Sequence, residues 1–388
     1  MKVTFVANFM NHHQLPFCWE MQKLTNDNFT FVAFEPLAVE QRDLGYADMN
    51  MEPFVIRAYE NETEYRKSLE KILNDDIVIF GSCPNNVVAE RNATGRPFVI
   101  YSERFFKKGT YRRFIPITYK KIYDRLLQYE KSNVSIICSS AYLPYDLQLL
   151  GKQFKIYKWG YFPAVKRYDD IEQLLMSKQK RSILWVARLI KLKHPEAIIT
   201  AAKRLKQEGY DFKLTLIGKG LLENKMRKLV MHYELDNYIV FAGSMSPDQV
   251  RKYMENSSIF VFTSDQNEGW GAVMNEAMNS GCAVIASHVV GSAPFLIKHK
   301  ENGLVYRSGD IDDLYDKVKY LCDHHDECVR MGREAYKTMT EMWCAENATE
   351  RLYRVFNAKI SGEIEPVYYD GPVSVAEVIK PKYNKEEI

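Results

Sequence analysis

Two glutamates, Glu268 and Glu276, stand eight positions apart in "NEGWGAVMNEAMNSG", the segment 267–281 between two strand-like runs. Its helix-forming part begins near Gly271 and stops at Gly281, a small residue at a place where helices often end. One carboxylate is therefore expected on the loop and the other on the helix. Carboxylates accept hydrogen bonds from hydroxyl groups, whereas glycines allow backbone N–H groups to approach an anion at a helix N-terminus.

Groups suited to an anionic ligand follow other strand-like runs. Arg188 and Lys193 come after the run Ile183–Ala187, and "GKG", which starts at Gly218, comes after the next run. In open parallel sheets ligands bind beyond the carboxyl ends of strands, so these groups are expected on one rim. Cations suit phosphate and carboxylates suit hydroxyls, and a nucleotide-sugar presents both. Each group alone is an ordinary surface or turn feature, so the prediction depends on their combination.

The chain alternates short β-branched or aromatic runs with longer amphipathic stretches, which predicts parallel sheets with helices on both faces. The predicted strands are Val3–Ala7, Phe29–Phe34, Ile77–Phe80, Phe98–Tyr101, Ser135–Cys138, Ile183–Ala187, Lys213–Ile217, Tyr238–Phe241, Ser258–Thr263, Ala283–Ala286 and Gly303–Tyr306. The predicted helices include Glu62–Leu73, Pro195–Gln207, Leu222–Tyr233, Pro247–Glu255, Ile311–Asp323 and Ala345–Phe356.

A length of 388 residues suits two domains, and two such sheets follow one another along the chain. We expect domains at 1–162 and 163–344, joined near Lys158–Asp169, with a helix at 345–360 that completes the first domain. The remainder, 361–388, has three prolines and many charges and is expected to be an extended tail.

Composition excludes several classes of protein. A net charge of +3 gives no argument for nucleic acid, and no apolar run approaches the roughly 20 residues of a membrane span. The N-terminus resembles a first strand rather than a signal peptide. Seven scattered cysteines, an odd number, argue against a disulfide framework, and a cytoplasmic protein is expected.

Two segments contain residue types that bind metals. In "CDHHDEC", Cys322, His325 and Cys328 would lie only loosely along one side of a helix, so a polar helix end is the favoured interpretation. Asp310 and Asp312 form an Asp-x-Asp before a helix, where capping is favoured over metal binding. No metal or cofactor is predicted.

The sequence closely resembles the GT-B fold glycosyltransferases of family 4, also called glycosyl transferases group 1. The matching segments are "WVARLIKLKHPEAIITAAKRL", "LTLIGKGLLENKMRKLV", "VFAGS", "SIFVFTSDQNEGWGAVMNEAMNSGCAVIAS" and "GLVYRSGD". The resemblance is strong from about 183 to 320 and weak before it. It implies two Rossmann-like doubly wound domains facing each other across a cleft, with an N-terminal acceptor-binding domain and a C-terminal donor-binding domain.

The resemblance also implies a role for each matching residue in a retaining transfer from a nucleotide-sugar. Glu276 would hold the ribose hydroxyls and Glu268 the transferred sugar, while Arg188 and Lys193 would neutralise the departing diphosphate. The remaining donor contacts would be made by the turn at Gly218, by the base-binding segment at Gly243 and Ser244, and by the backbone of Gly269, Trp270, Gly271 and Ala272. UDP is the default nucleotide, and no metal is required.

The N-terminal part departs from the family pattern. Where many relatives have a glycine-rich turn after the first strand, this chain has His12 and His13. Where many have a histidine that faces the donor sugar, it has Glu103 and Arg104, which become candidates for contacting the acceptor or the sugar. A structural role remains open for either histidine.

The segment 104–121, "RFFKKGTYRRFIPITYKK", combines seven basic residues with aromatic residues and has no acidic residue. This composition suits an anionic membrane surface, an anionic acceptor such as a lipid-linked pyrophosphate sugar, or a solvated basic loop. The main interpretation is a cytoplasmic transferase that extends a polysaccharide or glycolipid, at the inner face of the cytoplasmic membrane if 104–121 binds lipid. The alternatives are a nucleotide-sugar epimerase of the same fold and a catalytically silent nucleotide-sugar-binding protein.

Overall fold

A computed structural model describes residues 1–38 and 47–382 and divides the chain into two compact units. The first unit comprises Met1–Ala164 and Trp343–Lys380, and the second contains Val165–Met342. Each is built on one parallel sheet with helices, which confirms the predicted α/β class with two doubly wound sheets.

The sheet of the first unit has seven strands in the order β3-β2-β1-β4-β5-β6-β7. Its strands are β1 Val3–Ala7, β2 Phe29–Ala33, β3 Val55–Arg57, β4 Ile77–Phe80, β5 Phe98–Ser102, β6 Val134–Cys138 and β7 Ile156–Lys158. Every residue of β1, β2 and β4 is buried, which explains why these strands are continuous apolar runs rather than alternating ones. The strand order reverses between β1 and β4, where an open sheet offers a binding crevice.

The helices of the first unit are α1 Leu15–Leu24, α2 Glu62–Asn74, α3 Asn85–Ala93, α4 Pro116–Arg125, α5 Leu143–Gln148 and, from the end of the chain, α14 Ala345–Ser361. Short 3₁₀ helices lie at Met49–Met51, Thr110–Phe114 and Leu127–Tyr129. Helix α14 packs against α1, so the C-terminal helix is part of the first unit.

The sheet of the second unit has six strands in the order β10-β9-β8-β11-β12-β13. Its strands are β8 Gln179–Val186, β9 Lys213–Ile217, β10 Ile239–Gly243, β11 Ser257–Phe262, β12 Ala283–Ser287 and β13 Gly303–Tyr306. Here the order reverses between the neighbouring strands β8 and β11, which pair in parallel through Ile183 with Ile259 and Leu184 with Phe260.

Helices cover this second sheet and close a continuous apolar core. They are α6 Ile171–Ser177, α7 Pro195–Gln207, α8 Glu223–His232, α9 Pro247–Asn256, α10 Ala272–Asn279, α11 Ala293–Leu296, α12 Ile311–Asp323 and α13 His325–Lys337, with a 3₁₀ turn at Lys191–Lys193 and a π turn at Thr338–Met342. Pro195 is the first residue of α7, as predicted, and Asp310 caps α12 by accepting from the Asp313 backbone N–H at 3.0 Å. Among the described residues, none of the helices is long and apolar enough to cross a membrane.

The segment predicted as an extended tail is held against β7 in its described part. Val373 N–H donates to Lys158 O at 2.8 Å, and Ala376 N–H donates to Ile156 O at 2.9 Å. The side chains of Val373 and Ala376 are buried, so this part of the chain covers the edge of the sheet at β7. The last predicted tail residues, 383–388, lie outside the described residues. The predicted crossover at Lys158–Asp169 starts one residue too early, because Lys158 ends β7.

Candidate active site

The site residues of the second unit lie where its strand order reverses. The loop after β8 carries Arg188 and Lys193, and the loop after the neighbouring β11 carries Glu268. Both loops follow the carboxyl ends of parallel strands, so the topology brings together residues that are far apart in the sequence. The structure therefore places these three predicted residues at one end of one sheet.

The "GKG" turn after β9 packs directly against the loop after β8. Gly218 has a φ of +131°, and a Cβ atom there would lie 2.0 Å from the Ala187 carbonyl oxygen. At Gly220 a Cβ atom would lie 2.4 Å from the Leu189 carbonyl oxygen. The Leu189 N–H also donates to Lys219 O at 2.9 Å. The glycines thus allow the two loops to lie backbone to backbone, which fixes the position of the Arg188 segment.

Lys193 and Glu268 form an ion pair that joins the two loops. Their side chains are 14% and 15% exposed, and the same Glu268 oxygen accepts a hydrogen bond from Ser264 at 3.0 Å. Thr263 donates to the Lys193 carbonyl oxygen at 2.5 Å, which holds the lysine backbone close to β11. In the described structure the lysine charge is therefore balanced by the glutamate, and a ligand would have to compete for either group.

His194 is a second link between the loops, and sequence reasoning missed it. Its Nδ1 lies 2.9 Å from Glu196 Oε1, and its Nε2 lies 3.1 Å from Asp265 Oδ2. The hydrogen bond to Glu196, followed by that to Asp265, raises the pKa of His194 above its ordinary value. The residue has a φ of +45°, an uncommon conformation for a residue other than glycine. Nothing in "KHPE" signals this geometry, because it depends on a partner from another loop.

Helix α10 begins at this rim directly after Gly271, a position where a larger residue would not fit. Gly271 has a φ of +82°, and a Cβ atom there would lie 2.5 Å from the ring of Phe262. Trp270 is buried, its indole N–H donates to Asn275 at 2.9 Å, and Ser292 donates to its carbonyl oxygen. The Trp270 side chain therefore supports the loop from inside. The start of the helix, at Ala272, remains at the rim.

Glu276 lies in the middle of α10, about one turn after its start at Ala272. Burial raises the pKa of its carboxyl, and the charge of Arg251 opposes that rise. The Arg251 guanidinium itself donates to Asn279 at 2.9 Å and to Ser280 at 3.3 Å. Among the described residues, none donates a side-chain hydrogen bond to the Glu276 carboxylate at hydrogen-bond distance. A partly buried carboxylate without a described side-chain donor is suited to accept hydrogen bonds from a ligand.

The other predicted donor-site residues differ in exposure. Arg188 and Ser244 are exposed, whereas Gly269 is buried beside Trp270. Gly243 has a φ of +74° and accepts a hydrogen bond from the Gly218 N–H at 2.7 Å. The turns after β9 and β10 are thus connected through their backbones, on the same side of the sheet as the loop after β8.

The predicted residues of the first unit are grouped around a cavity of about 480 Å³ at the reversal between β1 and β4. Its described lining includes His13, Glu103 and Arg104 but not His12. The ring of His13 stacks on Tyr161 at 3.9 Å, and burial lowers the pKa of His13 to about 3, helped by His12. His13 is therefore a neutral ring at physiological pH.

Glu103 and Arg104 are both held by neighbours within the first unit. Tyr161 donates to Glu103 at 2.7 Å, and Lys107 forms an ion pair with the same carboxylate. Arg104 is buried and donates to Asp146 at 3.1 Å. Asp146 also accepts from the N–H groups of Phe105 and Phe106, so the pair anchors the turn that follows β5.

The side chains of the two segments with metal-binding residue types make contacts within the fold. Asp310 caps α12 by accepting from the Asp313 N–H. Cys322 and Cys328 are buried, and Cys328 donates to the Leu321 carbonyl oxygen at 3.3 Å. Over 1–38 and 47–382, no group of three or more histidine, cysteine, aspartate or glutamate residues is placed to hold a metal ion.

Comparisons with known proteins define first the class of this fold. The chain matches Anabaena HepE, solved in complex with UDP, with a TM-score of 0.67 at 14% identity, over 92% of this chain and 100% of that one. Two Rossmann-like units of this kind constitute a GT-B fold.

A family match is found for the second unit. Residues 166–338 match the family described as "Glycosyl transferases group 1". The GDP-mannose-dependent alpha-(1-6)-phosphatidylinositol monomannoside mannosyltransferase of Mycobacterium tuberculosis is 25% identical over 180 residues, 45% of this chain and 46% of that protein. The poly(ribitol-phosphate) alpha-N-acetylglucosaminyltransferase of Staphylococcus aureus is 25% identical over 173 residues, 45% of this chain and 34% of that protein. The matched region thus spans about half or less of these relatives.

Proposed function

We propose that this protein is a retaining, metal-independent glycosyltransferase that moves a sugar from a nucleotide-sugar to a hydroxyl group of a glycan or a lipid-linked saccharide. The curated relatives named above transfer mannose and N-acetylglucosamine according to their names, so their family supports sugar transfer in general. The donor, acceptor and stereochemistry are proposals for this chain.

The observation that carries this proposal is the state of Glu276. Its carboxylate lies on α10 close to the reversal of the sheet, its pKa is raised by burial, and no described side chain donates to it. Burying a carboxylate without donors costs stability, so the arrangement favours a ligand that brings donors. Two adjacent ribose hydroxyls match that need, because a carboxylate can accept from both at once.

Donor binding would exchange the partners of Lys193 and Glu268. Lys193 would pair with the diphosphate in preference to the Glu268 carboxylate, because the diphosphate is the stronger anion. Hydroxyls of the transferred sugar can then donate to the Glu268 oxygens that the lysine leaves. Ser264, which already donates to Glu268 at 3.0 Å, would keep the carboxylate in place during this exchange. The ion pair thus keeps both groups at the site before the donor arrives.

The chemistry requires stabilisation of a leaving nucleoside diphosphate. Negative charge would grow on the diphosphate as the bond to the sugar breaks, and we expect Arg188, Lys193 and the N-terminus of α10 to stabilise it. Preorganised charges of this kind do not need a metal. For retention, the acceptor hydroxyl would attack from the face that the diphosphate leaves and pass its proton to a phosphate oxygen. No enzyme nucleophile is needed, in contrast to retaining glycosidases.

UDP is the proposed nucleotide, with the base held by backbone groups near Gly243 and Ser244. Anabaena HepE was solved with UDP, which supports this choice, whereas the mycobacterial relative is named as GDP-mannose-dependent. Incubation with a panel of UDP-, GDP- and ADP-sugars, followed by ¹H NMR, tests the function. We expect one donor to release its nucleotide and a free sugar of unchanged anomeric configuration, with water as a slow acceptor. An isomerised nucleotide-sugar would instead indicate an epimerase, and an inverted sugar would contradict retention.

We further propose that 104–121 binds the anionic inner face of the cytoplasmic membrane. Tyr111, Phe114 and Ile117 are 62%, 74% and 66% exposed, and they lie among basic residues. Each basic residue near an anionic surface contributes about 1 kcal/mol, and exposed aromatic rings insert at the lipid headgroups. Vesicles with anionic lipids should carry the protein upward in a flotation gradient at low salt, whereas neutral vesicles should not. Lack of flotation with both would refute the membrane contact.

A further inference from the structure

The cavity of the first unit is strongly biased towards positive charge. Among its lining residues the one carboxylate is Glu103, and it is already engaged by Lys107 and Tyr161. The lining also contains Arg104, Lys121 and Arg125. Lys121 and Arg125 lie one turn apart on α4, and neither forms an ion pair with a residue that the structure describes. The cavity therefore holds more fixed positive charge than its own carboxylate can balance.

Arg104 gives a second and independent indication of a ligand. Its side chain is 2% exposed, and its Nη2 donates to Asp146 at 3.1 Å. Its Nε and Nη1 are buried, and over the described residues they have no hydrogen-bond partner. Buried N–H groups in proteins are nearly always paired, so these two nitrogens of a cavity-lining residue lack the acceptor that is expected for them. The centroid of the Tyr142 ring lies 5.2 Å from the guanidinium carbon.

The remaining polar lining suits a sugar ring. Glu103, Tyr161 and the neutral His13 are in the cavity lining, and they can exchange hydrogen bonds with hydroxyls. An oxyanion matches the cationic lining residues, because a guanidinium presents its N–H groups in a planar fork that fits phosphate or carboxylate. A volume of about 480 Å³ is sufficient for one charged sugar unit.

We propose that the acceptor carries an oxyanion, phosphate or carboxylate, and that this group binds in the cavity of the first unit with Arg104, Lys121 and Arg125 as its cationic partners. This inference rests on the proposed transferase function and narrows its acceptor class. A neutral glycan would leave Nε and Nη1 of Arg104 without an anionic acceptor.

Binding to the full chain tests the proposal, measured by thermal shift with the donor site first saturated by UDP. Saturation matters because a free anion could otherwise bind where the donor diphosphate is expected. The probes are inorganic pyrophosphate for the phosphate arm, glucuronate for the carboxylate arm and methyl glucoside as the neutral control. We expect one of the two anions to stabilise the protein at concentrations where methyl glucoside does not, and the responding anion identifies the acceptor group.

Variants then locate the binding. Lys121→Gln combined with Arg125→Gln should lower the affinity for the anion by about tenfold or more, since each charge-assisted hydrogen bond is worth roughly that factor. Lys108→Gln combined with Lys120→Gln removes the same formal charge from residues outside the cavity lining and should change affinity by less than about threefold. Arg104→Lys keeps a cation opposite Asp146 but removes the fork, so it should fold and lose anion binding.

The outcomes separate this proposal from the proposed function. A shift with UDP but none with either anion would overturn the acceptor proposal and leave the donor site intact. Anion binding that is equal in wild type and in the Lys121/Arg125 variant would also overturn it. Failure of UDP to shift the protein would count against the proposed function, while the variants would still report the anion site.

Discussion

Replacing Glu276 by glutamine should weaken nucleotide binding without lowering the stability of the nucleotide-free protein. Burial raises the pKa of this carboxyl in the folded protein, so the folded state binds more protons than the unfolded one. Stability contributed by this group therefore falls as the pH rises from about 4.3 through the folded pKa. At a pH above the folded pKa the ionised carboxylate is a cost, and there Glu276→Gln should leave the nucleotide-free protein as stable as wild type or more stable.

The same substitution should weaken the binding of UDP. A hydrogen bond to a charged group is worth about 1.5–3 kcal/mol, which corresponds to a rise in Kd of about 10- to 150-fold. At a UDP concentration of about 100 times the wild-type Kd, the stabilisation is about 2.7 kcal/mol. The same concentration should stabilise the variant by about 0.3–1.4 kcal/mol. For a unit of this size the wild-type shift is then about 5–11 °C, and the variant shift about 1–6 °C.

The assay is a thermal-shift titration with UDP, GDP and ADP on both proteins, with Glu208→Gln as the matched control. Glu208 is an exposed carboxylate of the second unit that pairs with Lys319, so its variant should respond to nucleotide as wild type does. An undiminished UDP shift in Glu276→Gln would refute the ribose contact and the reasoning that led to it.

Three further predictions concern the same rim. Glu268→Ala should lower turnover by about 10- to 150-fold while UDP affinity is kept or improved, because Lys193 is released for the diphosphate; equal losses in both would contradict this division of roles. Gly218→Ala should destabilise by about 1–3 kcal/mol more than Gly209→Ala in urea unfolding, because both have positive φ but only the first meets a backbone carbonyl; equal costs would be inconsistent with the described turn. His194→Gln should lower stability by up to about 1 kcal/mol at pH 6 and by less at pH 9, because a raised pKa stabilises below about 6.5 and the effect is lost as the pH rises; a loss independent of pH would argue against a charged bridge.

The sequence predicted the elements whose apolar pattern is long enough to recognise. Helix α7 matches its predicted bounds, and the short helix after Gly271 was expected because glycines flank it. The strands β3 and β7 were missed, since three residues show no period and neither run is bounded by clear turn signals. The burial of residues 373–376 against β7 was also missed, because proline and charge composition favoured a free tail.

Within the site, residue types were predictable and their pairings were not. The carboxylates and cations of the second unit could be named from the loops that follow successive strands. The ion pair between Lys193 and Glu268 joins positions 75 apart, and the link from His194 to Asp265 joins positions 71 apart. Arg104 was expected to contact the ligand, but its pairing with Asp146 requires the fold. Contacts of this kind depend on which strands are neighbours, and no local pattern encodes that order.

A crystal structure of the full chain with UDP is the most direct test of donor binding at the rim between β8 and β11. We expect the ribose hydroxyls at hydrogen-bond distance from Glu276, the diphosphate beside Arg188 and the start of α10, and Lys193 turned from Glu268 to a phosphate oxygen. UDP bound elsewhere, or bound with the Lys193–Glu268 pair intact and Glu276 untouched, would contradict donor binding at this rim.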